Sequence, residues 1–192
     1  LAAASEFDAM PVRRREARLV KRLQKHLPLV VKSPDADPHT KTNVLLQAHF
    51  SRRALPSADM QFDLATRVLP DAVRLLRAMV DVISSSGWLK PALAVMELSQ
   101  MVVQGLWDRD PPLLQLPYFD AARAQACTAA GLEGVFDVLE AEDATRDALL
   151  KGLTMPQMSA VATFCNGYPN IDLSFAVNPS DDDSDAGGGG DD

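Results

Sequence analysis

Basic side chains crowd one short stretch of the chain, and their chemistry is the binding of anions. The stretch contains Arg13, Arg14, Arg15, Arg18, Lys21 and Arg22. Such a patch can neutralise the phosphates of a nucleic acid and release counterions. Aromatic rings, which usually stack on single-stranded bases, do not interleave with it. An ordinary solvated face, a protein-binding face and a nucleic-acid-binding face are therefore all open interpretations of the patch.

Catalytic chemistry is not indicated by the sequence. A triphosphate cradle of the G-x-x-x-x-G-K-[ST] type needs a glycine followed by lysine, and no glycine here is followed by lysine. The three histidines, His26, His39 and His49, lie in or near the first quarter of the chain, far in sequence from Cys165. We interpret Cys165 as a core thiol rather than a nucleophile. We expect no catalytic residue, no cofactor site, no metal site and no small-molecule substrate.

Composition points to a helical globular protein with two electrostatic halves. The 192 residues are 47% apolar and 23% charged, and the two cysteines form no C-x-x-C pair. No run of about 18 apolar residues is present, which disfavours a membrane span. Residues 1–53 carry 11 Lys/Arg against 5 Asp/Glu, whereas residues 54–192 carry 8 against 21. The two halves should face different partners. The chain begins at Leu1, and we expect it to be an internal fragment.

Helical periodicity supplies the elements that position the basic patch. Four long helices are predicted over residues 13–27, 37–53, 59–85 and 91–107. A kink is expected at Pro70, inside the third helix. The fourth helix is apolar around most of its girth, and we predict that it lies at the centre of the bundle. Trp88 and Trp107 bracket this helix, and each is expected to anchor the core.

The C-terminal third predicts shorter elements. Helices are expected over 120–131, 135–141, 144–151 and 154–165, the last three forming a helix-loop-helix module. A period-two pattern over 171–177 predicts a β-strand, and the acidic, glycine-rich residues 178–192 are predicted to be disordered. The predicted fold is mainly α. Its units are a helical bundle over 7–132, the module over 133–168, a strand over 169–177 and the tail over 178–192.

Four stretches of sequence resemble one known domain family. They are DPHTKTNVLLQAHFSR at 37–52, SGWL at 86–89, AVMELSQMV at 94–102 and FCNGYPNI at 164–171. Together they resemble the Sec-63 homology domain of large spliceosomal DExH-box RNA helicases, with matching motifs from about Phe7 to Val177. The sequence at 88–94, WLKPALA, resembles the second, C-terminal helicase cassette more than the first.

The resemblance implies both a fold and a role. In the family, a helical bundle and a helix-loop-helix piece are followed by an immunoglobulin-like sandwich, of which only the first strand is matched here. The resemblance also implies a role: a non-catalytic accessory fragment that supports the helicase motor and docks spliceosomal proteins during pre-mRNA splicing in the nucleus. ATP and Mg would belong to the motor domains. In motor-bearing relatives a long bundle helix meets single-stranded nucleic acid. Carried over to the helix at 91–107, that role would put Lys90, Gln100 and Gln104 near RNA.

Two alternative functions stay open at this point. One is a helical bundle that contacts single-stranded RNA, such as snRNA, through the basic patch and the fourth helix. The other is the Sec-63-type domain of the endoplasmic-reticulum protein-translocation machinery. The absence of transmembrane and J-domain segments disfavours the second alternative, and we expect no membrane partner.

Overall fold

The fold was analysed in a computed structural model that describes residues 1–32, 34 and 36–176. The predicted mainly α class is confirmed. The described helices are α1 (Glu16–Gln24), α2 (Pro38–Phe50), α3 (Ala58–Asp63), α4 (Leu69–Ser85), α5 (Leu89–Gln104), α6 (Ala121–Ala129), α7 (Val135–Glu140), α8 (Asp143–Leu150) and α9 (Met155–Asn166). Single 3-10 turns lie at Ser5–Phe7 and Pro112–Gln115.

Helix α2 forms the centre of the first half of the chain. Asp37 caps it by accepting a hydrogen bond from the Thr40 N–H at 2.7 Å, and Pro38 occupies its first turn. Most of its residues are buried, because α1, α5 and the π-helical turn at Leu64–Val68 all pack against it. The prediction that the fourth long helix would be central is therefore wrong, since α2 takes that place.

Helix α5 packs against α4 and α2, and the apolar side chains on its other side stay exposed among the described residues. It ends at Gly105, whose φ of 64° is left-handed and favours glycine. An added Cβ there would lie 3.0 Å from the His49 ring. Trp107 anchors the core as predicted: its ring meets Phe50 edge-on, with centroids 5.1 Å apart. Trp88 is 61% exposed, so the same prediction for Trp88 is wrong.

The irregularity predicted at Pro70 lies one turn earlier. Residues Leu64–Val68 form a π-helical turn, in which the Leu69 N–H bonds to the Leu64 carbonyl. Proline has no N–H to donate and its ring crowds the preceding turn, and widening that turn relieves the conflict without breaking the helix. α3, the π turn and α4 therefore follow one another without a loop.

Two hydrophobic cores divide the described chain. The first contains buried residues from Phe7 to Val102, with Trp107 packed against it, and the second runs from Leu113 to Cys165, with Tyr168 packed against it. Helix α6 contributes Ala124 and Cys127 to the second core. The change of core thus falls between Trp107 and Leu113. The domain boundaries drawn from the sequence stay predictions.

The predicted strand is not seen in residues 169–176. These residues have no helix or strand assignment, and the apolar side chains of the alternating pattern are exposed, Leu173 at 95%. A strand is defined by its ladder of hydrogen bonds to a neighbour, and a single strand has none. The immunoglobulin-like sandwich stays a prediction, and Val177 with the predicted tail at 178–192 lies outside the described residues.

Candidate interaction surfaces

A buried ion cluster fixes how the first helices sit on one another. The Lys41 ammonium, with a side chain 0% exposed, donates hydrogen bonds of 2.6 Å each to the Pro11 carbonyl, Glu16 Oε2 and Asp63 Oδ2. Arg13 Nη1 donates to the same two carboxylates, at 2.6 Å to Asp63 and 2.8 Å to Glu16. Two cations thus meet two anions, and the cluster ties α1, α2 and α3 together with its charge balanced.

Both carboxylates of the cluster are held in the charged form. Burial by itself raises their pKa values. The hydrogen bonds that Lys41 and Arg13 donate to Glu16, and those that Arg13 and Lys41 donate to Asp63, outweigh this effect of burial. Both carboxyl pKa values therefore lie below their ordinary range. The same bonds, to Asp63 and then Glu16, raise the pKa of Arg13. The cluster is a structural element because its charges are already satisfied from within.

The ion cluster also sets the rotation of α1. Glu16, Val20 and Leu23 are the buried residues of this helix, and their spacing of four and three residues places them on one face. Two arginines of α1 lie on its opposite, solvent side, and with the two arginines just before the helix and Leu19 they line a surface groove. We call these four arginines the arginine cradle: Arg14, Arg15, Arg18 and Arg22.

The other predicted residues of the basic stretch have different surroundings. Lys21 is exposed on the same helix. Arg13 is committed to the ion cluster, and its Nε also lies 3.6 Å from Asp59 Oδ2. The basic stretch therefore divides into a structural arginine and an outward-facing set.

The outer side of α5 carries an apolar stripe. We call five residues of this helix the α5 stripe: Leu89, Leu93, Met96, Gln100 and Val103. They are spaced by four, three, four and three positions, and residues with this spacing share one face of a helix. The four apolar members of the stripe are between 48% and 70% exposed. Of the other predicted contact residues, Lys90 is exposed and Gln104 is partly buried.

The two helices that carry the predicted residues, α1 and α5, contact α2 at different places. Lys41, near the start of α2, bonds to Glu16 of α1. At the other end, His49 Nε2 hydrogen-bonds to the Val102 carbonyl at 2.8 Å and Arg52 Nε donates to the Gly105 carbonyl at 3.3 Å. The arginine cradle and the α5 stripe are therefore separate surfaces.

The sequence reasoning missed the ion cluster, although one signal was present. Lys41 lies four residues before Leu45 and seven before Ala48, on the inner face of α2. A lysine in line with buried residues must find an anionic partner, because an unpaired buried charge is costly. No spacing rule pointed to Glu16 and Asp63 as those partners, since they come from other helices.

The buried thiol and the acidic side chains bear on covalent and metal chemistry. The thiol of Cys165 is buried, as predicted, and burial raises its pKa, which disfavours the thiolate. Among the described residues no group of three or more His, Cys, Asp or Glu side chains could hold a metal ion. In the same part of the chain, no helix is both long and apolar enough to cross a membrane.

Comparison with known families identifies the class of this domain. The family model described as the Sec63 Brl domain matches residues 1–185, and the chain belongs to this Sec63 family. The match is to this domain and not to a helicase motor region.

Curated relatives show which proteins of this family the chain is similar to. The human U5 small nuclear ribonucleoprotein 200 kDa helicase is 50% identical over 175 residues, 91% of this chain. The fission-yeast pre-mRNA-splicing factor brr2 is 41% identical over 183 residues, 93% of this chain. A Dictyostelium discoideum protein named activating signal cointegrator 1 complex subunit 3-like is 44% identical over 180 residues, also 93% of this chain. The chain spans about 8% of the length of each of these relatives.

Proposed function

We propose that this chain is a non-catalytic scaffold of a spliceosomal RNA helicase, which supports the motor domains and docks partner proteins during pre-mRNA splicing in the nucleus. The names of the human and fission-yeast relatives support the splicing assignment. We further propose that the chain takes no ATP or Mg itself, and that these belong to motor domains elsewhere in such a protein.

The exposed apolar α5 stripe is the observation that carries this proposal. A helix that is apolar on nearly all sides is normally covered, and contiguous apolar surface on a soluble protein marks an interaction site. The stripe offers three aliphatic side chains, one thioether and one amide to a partner. It contains neither a cation nor a ring, the two groups with which proteins hold single-stranded nucleic acid. A protein surface fits it better than RNA does.

We propose that the partner is the motor region of the same helicase. The relatives are about twelve times longer than the matched domain, since the match covers 8% of each of them, so most of their mass lies outside it. An interface inside one polypeptide is formed at high effective concentration and needs only modest affinity per contact. The Sec63 body would then brace the motor through the α5 stripe.

Binding of the purified chain to the motor region of the same protein tests this assignment. The double variant Leu93→Glu and Met96→Glu should weaken binding about tenfold or more, because two apolar anchors near the middle of the stripe are replaced by charges. Both residues are exposed, so circular dichroism should show an unchanged melting transition.

A matched control carries the same two charges elsewhere. Gln61→Glu and Gln125→Glu, on exposed positions of α3 and α6, should bind like the wild type. Calorimetry showing equal affinity for the wild type and the α5 variant, or no binding by the wild type, would remove the stripe as the docking surface.

Direct RNA contact is the second candidate, and the arginine cradle favours it. Four guanidinium groups lining one groove can follow a phosphate backbone. If they do, replacing Arg14, Arg18 and Arg22 by glutamine should weaken binding of a single-stranded RNA and flatten its salt dependence. Unchanged affinity at low salt would exclude the cradle from RNA binding. The translocation alternative is the least favoured, because the relatives named above include helicase and splicing proteins.

A further inference from the structure

A second basic groove lies where the ends of three helices meet. Lys25 comes after α1, Arg53 after α2 and Arg109 after α5, and all three side chains are exposed. Together with Trp107 and Asp110 they line a groove of about 520 Å³. We call it the Trp107 groove. Its volume lies within the range of about 300 to 1,000 Å³ that small-ligand sites occupy, so it has room for a group the size of one nucleotide.

The cations of this groove are unopposed among the described residues. Lys25, Arg53 and Arg109 make no ion pair or hydrogen bond through their side chains within residues 1–32, 34 and 36–176. The carboxylate of Asp110 bonds elsewhere, since its Oδ2 accepts a hydrogen bond from the Trp107 backbone N–H at 3.3 Å. The groove therefore carries more positive than negative charge, which favours an anionic ligand.

The groove also contains the aromatic ring that the basic stretch of sequence lacks. Trp107 is partly buried, and two contacts fix its ring. Its Nε1 donates to Ser51 Oγ at 2.9 Å, and the ring meets that of Phe50 at 72°. A ring that is already held in place loses little freedom when a base stacks on it. Positive charge beside such a ring is the combination with which proteins hold single-stranded nucleic acid.

The backbone beside the groove is held in a left-handed conformation. Arg52, the residue before Arg53, has a φ of 49°, which residues other than glycine rarely adopt. Its guanidinium donates to the Gly105 and Leu114 carbonyls, and the Arg53 N–H donates back to the Ala48 carbonyl at 2.9 Å. Strained residues that their surroundings hold in place cluster at functional sites. Here the strained turn sets where the chain leaves α2 and brings Arg53 to the groove.

The Trp107 groove continues the arginine cradle. Arg18, Arg22 and Lys25 are spaced by four and three positions, so they share one side of α1 and its C-terminal end. At 1.5 Å per residue this row is about 10 Å long. A phosphate backbone that follows the cradle along α1 therefore arrives at the Trp107 groove.

We propose that the Trp107 groove binds one nucleotide of a single-stranded RNA whose backbone runs along the arginine cradle. The base stacks on Trp107, and Arg53 and Arg109 neutralise the adjacent phosphates. This inference rests on the second candidate function, RNA contact, and is independent of docking through the α5 stripe. It adds a preference for single strands, because a base inside a duplex is not free to stack on a protein ring.

Tryptophan fluorescence of the full chain tests this contact. The chain has two tryptophans, and Trp88, which is 61% exposed, does not line the groove. Trp88→Phe therefore leaves Trp107 as the reporter. An oligoadenylate of about ten nucleotides, a length within the range of single-strand sites, is titrated at roughly 0.05 M salt. The emission of Trp107 should fall on binding, because a stacked base quenches the indole. An oligoglutamate of the same length and an RNA duplex should leave the emission unchanged.

Charge removal supplies a second readout that needs no change to Trp107. The variant Arg53→Gln with Arg109→Gln alters two exposed residues, so the fold should be retained. Its affinity for the oligoadenylate should be about tenfold or more weaker, and the salt dependence of log affinity should be shallower by about 1.4, at about 0.7 per phosphate contact of a single strand. The matched control, Arg77→Gln with Lys151→Gln, removes two exposed cations elsewhere and should bind like the wild type.

Binding of the oligoadenylate without a change in Trp107 emission would overturn the proposal, and so would an unchanged salt dependence in the groove variant. If binding is then lost only when Arg14, Arg18 and Arg22 are replaced, RNA contact stands and the groove takes no part in it. No binding by the wild type would remove RNA contact and the groove together.

Two further arms identify a different occupant. Quenching by the oligoglutamate would assign the groove to an acidic protein segment, and adenosine monophosphate that binds as tightly as the oligoadenylate would assign it to a free nucleotide. Either result contradicts the assignment to an RNA strand.

Discussion

Replacing Lys41 by methionine is the sharpest test of the architecture. Methionine keeps most of the volume of the lysine stem and removes only the ammonium. The variant loses three hydrogen bonds of 2.6 Å, two of them to carboxylates whose side chains are 4% and 0% exposed. Glu16 and Asp63 are then left with Arg13 as the one cation hydrogen-bonded to both, while Arg67 Nε, on a half-exposed side chain, lies 3.8 Å from Asp63 Oδ1. The two buried carboxylates thus lose the buried one of their cations.

The loss should be large on the scale of the stability of the whole domain. Removing one member of a buried ion pair costs about 3 to 5 kcal/mol, against a total of roughly 5 to 15 kcal/mol for a typical protein. With a urea dependence of about 2 kcal/mol per molar, the midpoint of urea unfolding should fall by about 2 M. Circular dichroism at 222 nm, the usual helix signal, measures it. Lys90→Met, at an exposed lysine of α5, is the matched control and should change stability by less than about 0.5 kcal/mol.

A second substitution separates charge balance from packing. Adding Glu16→Gln to the Lys41→Met variant removes one of the two carboxylate charges, and part of the lost stability should return, with a coupling of about 1 to 2 kcal/mol. If the stability losses of Lys41→Met and Glu16→Gln simply add in the double variant, the charges of the ion cluster are not coupled and this assignment is wrong. A loss below about 1 kcal/mol for Lys41→Met alone would also contradict it.

Two further predictions concern the same bundle. The folded-state pKa values of Glu16 and Asp63 lie below their ordinary values of 4.5 and 3.8. The stability that these two groups contribute is therefore complete above about pH 5 and is lost as the pH falls through the folded-state values. The midpoint of urea unfolding should drop between about pH 5 and pH 3, and it should drop less in Asp63→Asn. Trp107→Ala should cost about 2 to 3 kcal/mol, because the ring packs on the core and its Nε1 donates to a serine hydroxyl at 2.9 Å, whereas Trp88→Ala should stay within about 0.5 kcal/mol; equal thermal shifts for the two would contradict their placement.

Local signals in the sequence were enough to place the helices. Asp37 followed by Pro38, and Asp120 at the start of α6, are caps whose side chains accept the hydrogen bonds that the sequence predicts. These caps depend on residues three positions apart, and for that reason the neighbouring residues are enough to predict them. Gly105, by contrast, ends α5 in a left-handed conformation inside the range 91–107 that was predicted as helix.

Which helix is central could not be predicted in the same way. α5 is more apolar than α2, so periodicity alone ranked it as the core helix, yet α2 is the one that its neighbours cover. α2 contains Lys41, Thr42 and Gln47, which are buried with their polar groups hydrogen-bonded: Lys41 to Glu16 and Asp63, Thr42 to the Pro38 carbonyl of its own helix, and Gln47 to the Leu29 carbonyl in the loop after α1. The partners of Lys41 and Gln47 are distant in sequence, so the pattern along α2 alone does not reveal that these polar residues can be buried. Among the described residues, Leu89, Leu93, Met96 and Val103 of α5 stay 48–70% exposed.

The ion cluster links stability to the surface that faces partners. Glu16 is hydrogen-bonded to Lys41 on the inner side of α1, and this contact holds Arg18 and Arg22 of the arginine cradle on the outer side of the same helix. α5 is held separately, through the bonds of His49 and Arg52 at the far end of α2. A partial loosening of the cluster, as in Asp63→Asn, should therefore raise the rate at which phenylglyoxal modifies Arg18, while the affinity of the α5 stripe for the proposed motor region stays unchanged. If both change together, the two surfaces are coupled through α2, and the division of the bundle into two independent faces is wrong.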